Sequence, residues 1–315
     1  MAFALEYSKV RHPLKSKMFY SDDPFRDLRL PEDKVEYFSR FRVTEINVGD
    51  IESNIATSTS RGRSGATFNG KDRTFRTIKL AFTARSRTHY GLSFLRGYIQ
   101  HLFDTEEPFF FYEDWRPLED KTIEQTVNGT KYKVMKDKID ISESGFQKLK
   151  VVVTMKTVEL PYAISTGSTL DIINAGGLLF STDKFDWGNW LSSEPETHNY
   201  RFKMVHGQKI RLYNPSLKKV KHFEACMHIK MSKFSNIKNT GLKLRNITNG
   251  SQLDLTINPL STDVFEQRSN ILWRNNLNEL SKSDKKTFVE LETGWNELII
   301  EGADASVDYL FNFYY

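Results

Sequence analysis

Apolar residues in this 315-residue chain recur mostly at every second position, the spacing of strands with one buried face. The clearest case is Ile78, Leu80, Phe82 and Ala84, which alternate with Thr77, Lys79, Ala81, Thr83 and Arg85. One face of that strand is apolar, the other basic and hydroxylic. Tyr37–Val48 is also β-like, with Phe41, Val43 and Ile46 pointing inward, and Phe146–Leu160 carries the run Val151-Val152-Val153 before Pro161. Near the end, Thr287–Leu291, Trp295–Ile300 and Val307–Tyr315 are expected strands, with Val307, Tyr309, Phe311, Phe313 and Tyr315 on one face. At the start, Phe3, Leu5 and Tyr7 fit an edge strand. Pro13, Pro24 and Pro31 then break the chain into loop or extended arm.

One segment departs from this period. Leu95, Tyr98, Ile99 and Leu102 fall at i, i+3, i+4 and i+7, which predicts an amphipathic helix with an inward stripe. Glu106-Glu107-Pro108 ends it, and the aromatic strand Phe109–Tyr112 follows at once. A second, short helical piece is expected in Leu277–Lys286. Turn dipeptides predict hairpins at Asn69-Gly70, Asn128-Gly129 and Asn249-Gly250. Reflection about the second sets Ile123 opposite Val134 and Gln125 opposite Tyr132. Reflection about the third sets Leu244 opposite Leu255 and Leu242 opposite Ile257. Ser53–Lys71 is small, polar and glycine-bearing, and fits either a surface loop or an extended hairpin arm reaching a neighbour.

Length sets a prior of two domains. The small polar stretch Ser165–Thr169 looks like a linker, which gives 1–165 and 166–315. Many short strands separated by turns argue for a β-sandwich or jelly roll. Aromatic residues at 13% reinforce the β reading. A single cysteine, Cys226, excludes an intramolecular disulfide and suits folding in a reducing cytosol. The N-terminus lacks the pattern of a secretory signal, and no apolar run approaches the length of a spanning helix, so no membrane insertion is expected.

The net charge of +5 is modest, but its distribution is not even. Between Arg61 and Arg87 stand eight basic residues (Arg61, Arg63, Lys71, Arg73, Arg76, Lys79, Arg85 and Arg87) against one acid, Asp72. A solvated strand face, a charge-paired contact with an acidic neighbouring subunit, and contact with a passing phosphate backbone all fit this run. The nearest acidic cluster in sequence is the turn after the helix, Asp104, Glu106 and Glu107.

Reactive chemistry finds little purchase. His222, Cys226 and His228 form H-x3-C-x-H, but no second cluster completes a tetrahedral metal set. The carboxylate pairs Glu106/Glu107, Glu113/Asp114 and Glu119/Asp120 sit beside turns or prolines, where solvation explains them. No nucleophile elbow is present, and Ala175-Gly176-Gly177 lacks the Lys-Ser/Thr of a phosphate loop, so it is expected to be a turn. No cofactor, metal or catalytic residue is expected. Trp187 and Trp190, with Tyr200, Trp273 and Trp295, are either core or a platform for sugar rings, the alternative reading being a carbohydrate-binding module.

The order of these features resembles the distal tail protein (Dit) family of siphophages. The residues that carry the resemblance are GRSGAT at Gly62–Thr67, FRTIKLAFTARS at Phe75–Ser86, the helix with its exit LRGYIQHLFDTEEPFFFYED, and VTMKTVELPYA. In the second half they are LKLRNITNGSQLDLTI at Leu242–Ile257 and FVELETGWNELIIEGADASVDYLFNFYY at the C-terminus. The resemblance covers about residues 40–315 and points to phages of Gram-positive hosts. It implies a tail-tube-like N-terminal β-sandwich with one α-helix, and a C-terminal galectin-like or carbohydrate-module-like jelly roll. It further implies a structural virion protein, not an enzyme, assembled in the host cytoplasm and placed at the tail tip or baseplate. There a homohexameric ring would join the tail tube protein to the tail-associated tip protein and anchor receptor-binding components, with DNA passing through the lumen without specific binding.

Overall fold

A computed structural model of the chain describes residues 2–7, 17–20, 38–59, 64, 66–86, 89–114, 129–177, 185, 194–223, 227–283 and 287–315. The protein is mainly β and divides into two compact units, Met1–Ala163 and Ile164–Tyr315.

The first unit contains β1 (Ala2–Tyr7), β2 (Lys17–Tyr20), β3 (Phe38–Ser58), β4 (Thr67–Ser86), α1 (His89–Phe103), β5 (Phe109–Asp114), β6 (Thr130–Glu143) and β7 (Lys148–Thr157). Its strands pair antiparallel in the order β2-β1-β5-β6-β7-β4-β3. β2 and β3, at opposite ends of that order, also meet, so the sheet curls around its core. β1 is therefore an interior strand and not the expected edge.

The predicted inner face of β4 is the centre of this core. Ile78, Leu80, Phe82 and Ala84 are buried together with Val151, Val153 and Met155 of β7, and with Val43 and Ile46 of β3. Val43 and Ile46 are three apart yet both point inward, because a register shift between Val43 and Glu45 inserts one extra residue. α1 closes the core with Leu95, Ile99 and Leu102, joined by Leu92 and Phe103 outside the four-residue stripe read from sequence. Tyr98 is half-buried, and burial pushes its hydroxyl up to about 12. Phe103 ties helix to sheet, its ring 6.4 Å from both Phe82 and Phe109.

The second unit begins with β8 (Ile164–Ser168) and α2 (Thr169–Asn174), so the expected linker is folded. Its small polar residues are buried hydrogen-bond partners of the chain end. Thr169 Oγ1 donates to the Tyr309 carbonyl (2.7 Å) and accepts from Phe311 N–H (3.0 Å), and Ser165 Oγ accepts from Phe313 N–H (2.9 Å). Ala175-Gly176-Gly177 is the turn ending α2, with both glycines at positive φ.

The unit continues through β9 (Arg201–Met204), β10 (Lys209–Asn214), β11 (His228–Ser235), β12 (Leu242–Asn246), β13 (Gln252–Leu255), β14 (Phe265–Arg268), β15 (Ile271–Arg274), β16 (Leu277–Asn278), β17 (Gly294–Glu301), β18 (Asp304–Leu310) and β19 (Asn312–Tyr314). Two antiparallel sheets result, β10-β17-β12-β13 and β16-β15-β14-β11-β18-β9, each with one buried face, as in a β-sandwich. The shared face predicted for Val307, Tyr309, Phe311, Phe313 and Tyr315 is buried throughout, although the strand breaks at Phe311.

Further sequence expectations change. The helical piece in Leu277–Lys286 is instead the short strand β16 and a single 3-10 turn at Leu280–Lys282. The Asn249-Gly250 hairpin pairs Leu244 with Leu253 and Leu242 with Leu255, two residues from the predicted register. Its loop is longer because the buried Asn246 amide donates to the Glu290 carbonyl and Asn296 Oδ1. Val134 lies between Phe109 of β5 and Thr157 of β7; its expected partner Ile123, with the rest of 122–128, lies outside the described residues.

Gly302, between β17 and β18, is the tightest backbone contact of the second unit. Its φ is +97°, and a Cβ there would sit 1.8 Å from the Gly241 carbonyl oxygen. Gly250 has φ +73° with open space around it. Gly302→Ala should therefore lower stability by about 3 kcal/mol or more, and Gly250→Ala by about 1 kcal/mol. Urea denaturation of both variants checks this, and equal losses would refute the steric account.

Candidate subunit interface

β3 and β4 outgrow the sheet that holds them. β7 pairs with β4 only from Thr77 to Arg85, whereas β3 pairs with β4 out to Ser58–Thr67. Beyond Thr77 the chain is thus a two-stranded ribbon, an extended hairpin and not a loop. Asn69-Gly70 is not its turn: Ala56 pairs with Gly70 and Thr57 with Phe68, which leaves Asn69 as the extra residue of a bulge. The ribbon exposes Ile55 (61%) and Phe68 (64%), which sit on one face because Phe68 opposes Thr57.

Strand alternation divides the basic run among separate environments. Arg76 lies on the inner face next to Ile78; its backbone N–H donates to Thr157 Oγ1 (2.8 Å) and its guanidinium lies 5.8 Å from the Tyr132 ring. Arg73 donates to the Tyr162 hydroxyl and also faces that ring. Lys71 is exposed on the ribbon, and Lys79 is exposed on the outer face of the sheet. Arg61 and Arg63 lie outside the described residues. The run is also less uniformly positive than its sequence, because β3 brings Glu52 alongside: Thr77 Oγ1 donates to Glu52 Oε1 (3.2 Å) and Thr74 Oγ1 to the Glu52 carbonyl (3.2 Å).

The acidic turn is partly committed within its own chain. Lys136 of β6 forms an ion pair with Asp104 and holds its carboxyl below the ordinary 3.8, through their hydrogen bond first and charge second. Thr105 Oγ1 donates to the Glu107 carbonyl (2.8 Å), which shapes the turn before Pro108. Glu106 is exposed. Sequence order offered no route to Lys136, Tyr132, Tyr162 or Glu52, since each is brought to its partner by the fold across at least 20 residues of chain.

The remaining candidates separate. His222 Nδ1 lies 2.9 Å from Glu290, and His228 Nε2 lies 3.2 Å from Glu266, so the two imidazoles serve different carboxylates. Burial, the largest influence, lowers the His228 pKa. Cys226, Trp187 and Trp190 lie outside the described residues. Tyr200 is fully buried against Phe311, and Trp295 packs against Tyr213 (5.2 Å) and Arg211 (4.4 Å) of β10.

Replacing Lys136 by Met should let Asp104 titrate at the ordinary carboxylate value instead of below it. A carboxyl NMR titration of Asp104 reads this directly, and an unchanged midpoint would remove Lys136 as the cause.

No protein-family model matches the chain, and no curated protein sequence matches it. Among solved structures, the chain is similar to the SPP1 Dit (gp 19.1) protein, described as a paradigm of the hub adsorption apparatus in Gram-positive infecting phages. That similarity has a TM-score of 0.58 at 11% identity and covers 89% of this chain and 95% of that one. Chains of the phage p2 baseplate in its activated conformation, with Sr and with Ca, match at a TM-score of 0.39 with 9% and 8% identity, covering 99% of this chain and 97% of theirs. The chain is therefore similar in fold to the Dit protein of phage SPP1.

Proposed function

We propose that this protein is a structural baseplate hub of a siphophage tail, a distal tail protein. The observation that carries the reading is the fold likeness to SPP1 Dit, which extends over nearly the whole of both chains. In this role six copies form a ring that joins the tail tube to the tail-tip protein and anchors receptor-binding components. DNA passes through the lumen without sequence-specific binding. The first unit (Met1–Ala163) forms the ring, and the second (Ile164–Tyr315) is a galectin-like jelly roll directed to other baseplate parts. The work is done by binding surfaces, with no catalytic step, after assembly in the host cytoplasm.

A closed ring requires head-to-tail contacts in which two different surfaces of each copy meet. The β3–β4 ribbon supplies one of them: it projects past the core, exposes Ile55 and Phe68, and carries Lys71. The acidic turn Asp104–Glu107 of the next copy supplies the facing charge, with Asp104 and Glu106 exposed and Asp104 shared with Lys136. Arg73 and Arg76 help hold the base of the ribbon through Tyr162 and Tyr132.

Mass measurement in solution tests the proposal. The full chain at high micromolar concentration should have the mass of six 36.7 kDa copies. Ile55→Ser with Phe68→Ser should weaken assembly at least about tenfold, and Lys71→Glu by a smaller factor that shrinks with added salt. A strict monomer at that concentration would contradict the ring. Unchanged assembly in the double variant would remove the ribbon from it.

A further inference from the structure

We infer that the outer face of β3, β4, β7 and β6 binds the phosphate backbone of duplex nucleic acid without reading its sequence. Residues directly opposite one another in an antiparallel sheet share a face, so the pairings define this surface. Arg42, Thr83, Lys150 and Ser142 form one row across the four strands, and Asn47, Lys79, Thr154 and Lys138 another. Arg85 opposite Lys148 extends it. The row between them carries the two acids, Glu45 and Asp140, with Ala81 and Val152. Asp140 is neutralised by Lys138 at 2.9 Å. Lys156, one row further, is paired with Asp137 at 3.2 Å. Arg42, Lys79, Lys148 and Lys150 have no ion-pair partner among the described residues, and all but the half-buried Lys148 are exposed.

Strand spacing and rise make this face about 14 by 20 Å. Thr83, Ser142, Thr154 and Asn47 add three hydroxyls and an amide, which donate to phosphate oxygens. The rows from Arg42 to Asn47 present no aromatic ring, and Phe75 at their margin lies under the Lys156 ammonium (5.0 Å), so bases of a single strand have little to stack on. Their apolar side chains are the half-buried Val152 and, at the margin opposite Lys156, the half-buried Met135, too few for the dry centre that a protein interface needs. A cationic, hydroxylated plane poor in exposed apolar groups suits a polymer whose charges lie on its outside and whose bases are stacked within. The inference stands on this geometry whether or not the ring forms.

Fluorescence anisotropy with a labelled 30-bp DNA duplex of arbitrary sequence, using the full chain, tests it. Four phosphate contacts predict a log–log salt slope near −3.6, so affinity should fall about 100-fold between 50 and 200 mM NaCl. Lys79→Gln with Lys150→Gln should flatten that slope by about two, while Lys71→Gln on the ribbon leaves it unchanged. A single strand and polyglutamate should each compete more weakly than the duplex. Absence of duplex binding at 50 mM salt would overturn the inference. So would a double variant that melts and binds like the parent, or polyglutamate competing as well as duplex, which would mark an acidic protein as the partner. Masses measured on the same samples keep the two ideas apart: a monomer that binds duplex contradicts only the ring, and a ring that ignores duplex contradicts only this face.

Discussion

β4 has to satisfy three environments with one twenty-residue strand, and the rest of the first unit follows from how it does so. From Ile78 to Ala84 its inner side chains are sealed beneath α1 and between β3 and β7. Over the same stretch its outer side chains meet solvent with Lys79 and Arg85. Beyond Thr77 it keeps only β3 as strand partner, and past the contacts of Arg76 and Arg73 with Thr157, Tyr132 and Tyr162 the core no longer contributes. A two-stranded ribbon without a buried face is marginal in water by itself. Its length therefore makes physical sense if another surface covers it, and a neighbouring copy is the simplest source of one.

The same strand explains why a run of basic residues need not act as a single site. Alternation turns Arg76 inward toward Tyr132 and Lys79 outward, only three positions apart. Pairing then adds charges from distant sequence. Glu52 arrives beside Thr77 and Thr74 on the ribbon, while Lys150 and Lys148 arrive beside Thr83 and Arg85 on the outer face. One end of the hairpin becomes partly compensated and exposes apolar side chains. The other becomes more positive than the sequence run implied. The proposed subunit contact and the proposed phosphate contact thus fall on different surfaces of one hairpin.

Much of the fold was legible because period-two alternation is strong here. The inner faces of β4 and β7, the stripe of α1 and the aromatic face of β18 and β19 all follow from it. Register was less legible for the same reason: shifting the Leu244 pairing by two residues keeps every side chain on its face, so pattern alone could not choose between Leu253 and Leu255. The buried Asn246 side chain decided it by lengthening the loop. Ser165 and Thr169 were misread as linker because their composition is polar, whereas their hydroxyls are consumed by the backbone of Phe311 and Phe313. The candidate interface was legible as charge and not as geometry. Neither the pairing of Asp104 with Lys136 nor the apolar pair Ile55 and Phe68 could be read from spacing along the chain.

The account depends most on the ribbon being covered by a second copy. Hydrogen–deuterium exchange on the full chain, compared between an assembled sample and the Ile55→Ser/Phe68→Ser variant, addresses this directly. Amides of residues 51–58 and 67–76 should exchange at least about tenfold more slowly in the assembled sample, with those of β4 from Ile78 to Ala84 protected equally in both. Ribbon amides that exchange at the same fast rate in both, while the parent sample has the mass of six copies, would contradict it.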